Sequence, residues 1–103
     1  RKYPRLDMSN RCTITVKKTG KTYSGKLDNI SANGFAFLAD NSFFADSKGS
    51  EISVQIENFD LPGNSVLEGK IIRSSDNEGM YIVGCQMPAD NLAIKDYVEK
   101  HLK

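Results

Sequence analysis

The sequence holds only two cysteines, Cys12 and Cys85, and one histidine, His101. It also lacks any apolar run near the ~18–20 residues a membrane span needs. Two cysteines without C-x-x-C spacing make neither a disulfide framework nor a zinc site, so a reducing cytoplasm is the expected compartment. No signal peptide opens the chain. No group of Cys, His and carboxylates has metal-ligand spacing. His101 falls at the end of a helical pattern and reads as a partly exposed residue at a helix C-terminus, where the protonated form is favoured. Both cysteines fall within alternating apolar patterns, where a free thiol behaves as a small hydrophobe. With no catalytic cluster left, the sequence predicts neither an enzyme nor a cofactor.

What is present is an ordinary domain composition. The 103 residues are 39% hydrophobic and 26% charged, which excludes collagen and intrinsic disorder. A domain near this length buries roughly 60–70% of its unfolded surface around one core. The chain opens on Arg1 and is expected to be trimmed or cut from something longer. Its net charge of +1 conceals a division: residues 1–26 carry eight basic residues against Asp7 alone, and residues 27–103 carry six against twelve acidic ones. Such asymmetry points to a local anion site near the start.

Residues 1–10 show no apolar periodicity, and Pro4 fixes its own φ and removes a donor, so they read as an arm or loop. From Arg11 the pattern alternates, with Cys12, Ile14 and Val16 on one face. Thr19-Gly20 makes a turn, and 21–27 returns as a second strand anchored by Tyr23. Residues 28–34 read as a loop and 34–39 as a third strand, with Phe35 and Phe37 on one side. Residues 51–57, 66–73 and 80–87 supply three more strands. The first two are separated by Leu61-Pro62-Gly63-Asn64, with the residues a type II turn wants, and the last two by Asp76-Asn77-Glu78-Gly79. Six short strands with turns and no intervening helices predict an all-β antiparallel barrel or sandwich. After Pro88, Asp90 is a candidate helix cap, and Leu92, Ile94, Tyr97, Val98 and Leu102 fall at helical spacing. A C-terminal helix over about 89–102 is therefore expected on the barrel.

Two short constellations carry the functional signal. Arg1-Lys2-Tyr3-Pro4-Arg5 sets two arginines four residues apart on a non-helical arm. An extended pentapeptide separates them by up to ~13–14 Å, and a bend at Pro4 brings both forks onto one anion. Arginine forks suit phosphate oxygens and the O6/N7 edge of guanine, although a solvated basic terminus has the same composition. Asn29-Ile30-Ser31-Ala32-Asn33-Gly34 is, on its own, either a turn with positive-φ positions at Asn33-Gly34 or a polar loop facing a ligand.

In this order and strand context, R-x-x-x-R followed by [D/N]-x-S-x-x-G resembles the PilZ-domain family. The similarity continues through Lys70-Ile71-Ile72-Arg73 and the 81–87 strand YIVGCQM, and so covers essentially the whole chain. The resemblance implies a six-stranded antiparallel β-barrel with a C-terminal helix, residues 11–103, preceded by a ligand-binding arm, residues 1–10. It implies that the ligand is cyclic di-GMP, with Arg1 and Arg5 on phosphates and guanines and Asn29, Ser31 and Gly34 contacting it from the barrel. It also implies an upstream domain or effector protein that receives the signal; no DNA or RNA partner is expected, since residues 27–103 are net acidic. The position before Arg1, which in the family bears on whether one ligand or an intercalated pair is held, is not in this sequence, so stoichiometry stays open.

Two rival readings remain at this stage. A PilZ-like module that binds a protein and no nucleotide usually lacks the arginines or the second motif, and both are intact here. A barrel for RNA or single-stranded DNA wants aromatics interleaved with its basic residues, and only Tyr3 and Tyr23 lie near.

Overall fold

The computed structural model of the chain describes residues 3–59 and 66–102. Its strands are β1 (Leu6–Asp7), β2 (Arg11–Val16), β3 (Thr22–Ser31), β4 (Gly34–Ala39), β5 (Glu51–Ile56), β6 (Val66–Asn77) and β7 (Met80–Gln86). A 3-10 turn, Ser42–Asp46, joins β4 to β5, and one helix, α1 (Leu92–His101), follows β7. Neighbours run in the order β3-β2-β5-β6-β7-β4, and β4 pairs back onto β3, so the six long strands close into an antiparallel barrel. Closure leaves those strands no free edge. Of the barrel and sandwich that the strand pattern allows, the chain forms the barrel, with the expected C-terminal helix.

Alternation fills the barrel. In β2, Cys12, Ile14 and Val16 are buried while Arg11 and Thr13 are exposed; in β5, Ile52, Val54 and Ile56 do the same. Phe35 and Phe37 enter from β4 as expected. Strand direction places the β3–β4 turn and residues 57–59 at one end, and the β2–β3 turn and residues 40–50 at the other. At the latter end Phe44 is fully buried and meets Phe37, Phe43 and Tyr23 edge-on, while Tyr23 and Phe43 stack at 5.3 Å. At the former end α1 buries Ile94 and Val98, and Tyr97 meets Phe59 edge-on at 5.1 Å. The apolar face of α1 is narrower than its sequence period suggests, because Leu92 and Leu102 are exposed.

Four local features differ from the sequence reading. Strand β3 runs on to Ser31, through most of the segment expected to be loop. A bulge between Leu27 and Asn29 explains why: it buries both Leu27 and Ile30, a spacing of three that breaks strict alternation. Strand β6 likewise continues to Asn77, and the turn is only Glu78-Gly79, both at positive φ (56° and 84°), as a two-residue hairpin prefers. Residues 6–7, expected to be arm, pair with Ile30 and Asn29 of β3. The cap of α1 is Asn91, not Asp90: the Asn91 side chain accepts from the Ile94 amide at 3.1 Å. The turn at 61–64 lies outside the described residues.

Candidate functional site

The β3–β4 hairpin turns at Ala32-Asn33, bringing Ser31 directly opposite Gly34. Neither Asn33 nor Gly34 adopts positive φ, so the expected conformational reason for this glycine does not hold. Its reason is proximity. A Cβ at Gly34 would lie 2.6 Å from the carbonyl oxygen of Cys85, because β4 packs its start tightly along β7. Ser31, 7% exposed, donates its hydroxyl to Asn33 Oδ1 at 2.9 Å and lies 3.3 Å from the Gly34 carbonyl. The Asn29 amide donates to the Asp28 carboxylate at 3.0 Å.

These groups surround an open cleft of about 350 Å³ on the outer wall of the barrel. Arg5, Asn29, Ser31 and Gly34 all line it, so four of the five residues singled out from sequence converge on one place. The fifth, Arg1, lies outside the described residues. The far wall comes from residues the sequence reading left outside the site, notably Ile72, Arg73, Gly84 and Gln86. Two arginines and no carboxylate line the cleft, and among the described residues neither arginine is ion-paired. The cleft is thus cationic, and its two guanidinium forks are held by no described carboxylate.

Both motif-bearing segments are fastened to the stretch leading into α1. The Tyr3 hydroxyl donates to the Asp90 carboxylate at 2.7 Å. The Asn91 amide donates to the Ala32 carbonyl at 2.7 Å and the Met87 amide to the Asn33 carbonyl at 3.0 Å. At the base of the arm, the Met8 amide donates to the Asp28 carbonyl at 2.8 Å.

Beneath the cleft Cys85 is buried, and burial pushes its thiol up to about 12; burial, with the Glu57 carboxylate adding to it, pushes Cys12 up to about 11. Both stay neutral near pH 7, as structural thiols do. Among the described residues, no group of three or more His, Cys, Asp or Glu is placed to hold a metal ion, and no helix is long and apolar enough to cross a membrane.

The chain is thus a closed six-stranded barrel with one C-terminal helix and a cationic cleft at a hairpin turn. The chain belongs to the PilZ domain family, whose model matches residues 1–100. Solved structures share the fold. The PilZ domain with c-di-GMP of YcgR from Escherichia coli superposes with a TM-score of 0.71 at 13% identity, over 98% of this chain and 87% of that one. The Bacillus subtilis inhibitor of motility (MotI/DgrA) gives 0.74 at 18% identity, over 99% of this chain and 51% of its own. The K. pneumonia MrkH–c-di-GMP complex gives 0.65 at 21% identity, over 99% and 50%. The chain spans about half the length of these last two. No curated protein matches it.

Proposed function

We propose that this PilZ domain is a receptor for cyclic di-GMP, held in the cleft between the N-terminal arm and the β3–β4 hairpin. The observation that carries the reading is convergence: Arg5 of the first motif and Asn29, Ser31 and Gly34 of the second line one cleft without a carboxylate. Arg1 and Arg5 are assigned to phosphates and guanine edges. The Ser31 oxygen keeps lone pairs for a guanine N–H, and the small Gly34 leaves the hairpin backbone open to the ligand. That c-di-GMP is bound by the YcgR and MrkH structures of the same fold supports this choice of ligand.

The magnitudes are compatible. Micromolar binding requires about 8 kcal/mol, and charge-assisted arginine contacts contribute roughly 1.5–3 kcal/mol each. The cleft is near the low end of ordinary pockets, and in this reading the N-terminal arm completes the site over the ligand. Ordering of that arm is the signal in this reading. Tyr3 reaches Asp90 and the hairpin carbonyls reach Met87 and Asn91, so a ligand that pulls on either segment also pulls on the start of α1. The recipient is an attached domain or a partner protein in the cytoplasm. A PilZ-like module that binds no nucleotide is disfavoured because the second motif is complete and Arg5 faces the cleft with it.

Isothermal titration of cyclic di-GMP into the chain and into Arg5→Ala tests the assignment. Saturable binding by the parent, weakened about tenfold or more in the variant, is expected; equal affinity would remove Arg5 from the site.

A further inference from the structure

Tyr3 stands midway between the two arginines of the first motif, half-buried, with its hydroxyl 2.7 Å from the Asp90 carboxylate. Asp90 directly precedes Asn91, the cap of α1, and Tyr3 is also within electrostatic reach of Lys95 in the first turn of that helix. On the other side of Arg5, Leu6 and Asp7 pair with Ile30 and Asn29 of β3. Arg5 is therefore slung between an anchor on α1 and an anchor on β3, beside Pro4, whose φ is fixed.

These contacts close a ring around the arm. It runs from Tyr3 to Asp90, from the Asn91 amide to the Ala32 carbonyl at the β3–β4 turn, back along β3 to Ile30 and Asn29, and through Leu6–Asp7 to Arg5. The other links are backbone pairings, whereas the Tyr3–Asp90 bond joins two side chains and lies exposed. An exposed side-chain hydrogen bond exchanges readily with water and is the link that opens first. Opened, it frees the Arg5 fork from its anchor on the α1 side, and ordering the arm again costs entropy.

We infer that the Tyr3–Asp90 bond is a latch that sets the affinity of the cleft, with Tyr3 a positioning residue that holds Arg5 at the cleft before the ligand arrives. This inference rests on the reading of the cleft as a cyclic di-GMP site. The ligand binds the latched arm, so its apparent affinity scales with the latched fraction, and binding draws the population toward that form. The coupling is reciprocal: the ligand strengthens the latch by the same factor by which the latch strengthens ligand binding. A partner that displaces Asp90 at the start of α1 therefore lowers ligand affinity, and bound cyclic di-GMP resists that partner in equal measure.

The test measures cyclic di-GMP affinity in the parent, Tyr3→Phe, Asp90→Ala, Asp90→Asn and the Tyr3→Phe/Asp90→Ala double variant. Each is also melted, and the 15N heteronuclear NOE of the Arg5 amide is recorded without ligand. Tyr3→Phe keeps the ring and removes the donor. It and Asp90→Ala are each expected to weaken binding about threefold to tenfold, to lower the Arg5 NOE, and to melt near the parent. The double variant is expected to lose no more than either alone. Asp90→Asn keeps an acceptor oxygen and is expected to retain more affinity than Asp90→Ala. Parent-like affinity in Tyr3→Phe and Asp90→Ala, alongside a weakened Arg5→Ala, overturns the latch and leaves the cleft assignment standing. Additive losses in the double variant, or weaker binding with an unchanged Arg5 NOE, also overturn it. Tighter binding by Tyr3→Phe overturns it too, making the bond a contact that the ligand must break. A parent that binds no cyclic di-GMP overturns the reading of the cleft and the role of the latch together.

Discussion

Gly34→Ala separates two reasons for a glycine in the second motif. The methyl would be placed 2.6 Å from the Cys85 carbonyl oxygen, with the Cys85 carbonyl carbon at 3.7 Å and Gln86 Cα at 3.9 Å. An ordinary C···O contact is about 3.3 Å, so β4 and β7 must part by about 0.7 Å at this register pair. The neighbour is backbone, and no rotamer change relieves the clash. Overpacking of this kind costs about 2–3 kcal/mol, which for a domain of this size lowers Tm by about 10–20 °C. Gly20→Ala is the control, because its Cβ meets nothing within 4 Å and only its φ of 75° is unfavourable. That change costs about 1 kcal/mol. Thermal and urea denaturation of both variants without ligand is the assay, and Gly34→Ala should be the less stable. If it melted with the parent while binding poorly, strand packing would not be why glycine occupies this position, and close approach of a ligand would be.

Other consequences are equally direct. Phe44→Ala removes a fully buried ring that closes one end of the barrel against three aromatic neighbours, and should cost about 3–5 kcal/mol in urea titration. Asn91→Ala deletes the side-chain cap of α1 and should cost about 1 kcal/mol, with faster amide exchange at Ile94 and in the first turn of the helix. The buried thiols, raised to about 11 and 12 from 9.0, give a pH dependence of known sign. Below pH 9 their contribution is complete; above it the unfolded chain ionises first, so stability falls as pH rises toward 11–12. The drop in urea midpoint between pH 8 and pH 10.5 should therefore be larger in the parent than in a Cys12→Ala/Cys85→Ala variant, and iodoacetamide should label both cysteines only on unfolding.

The strands were legible because β2 and β5 alternate strictly, β6 does so as far as Ile71, and turn residues separate the rest. Two of the misses trace to places where one residue breaks the period. The bulge at Asp28 buries Leu27 and Ile30 together, so the end of β3 looked like loop. The bulge at Ile72 turns Arg73 toward the cleft, and no periodicity argument places an arginine on a face that its strand has just changed. Asn29, Ser31, Gly34 and Arg5 were legible as candidates through the order of two short motifs. Their convergence with Arg73 and Gly84 was not, since it depends on the closure of β4 onto β7 and of β6 onto β7. Gly34 shows the opposite case: the residue was singled out correctly for attention, but its backbone requirement comes from Cys85 across the sheet rather than from the turn.

The most direct test of the proposed site is an amide chemical-shift map of the 15N-labelled chain titrated with cyclic di-GMP. Shifts should concentrate on Arg5, Asn29, Ser31, Gly34, Arg73 and Gly84, extend to Asn91 at the start of α1, and leave the β2–β3 turn at Thr19-Gly20 unmoved. Saturable shifts centred on that opposite end of the barrel, or no shifts at millimolar ligand, would contradict it.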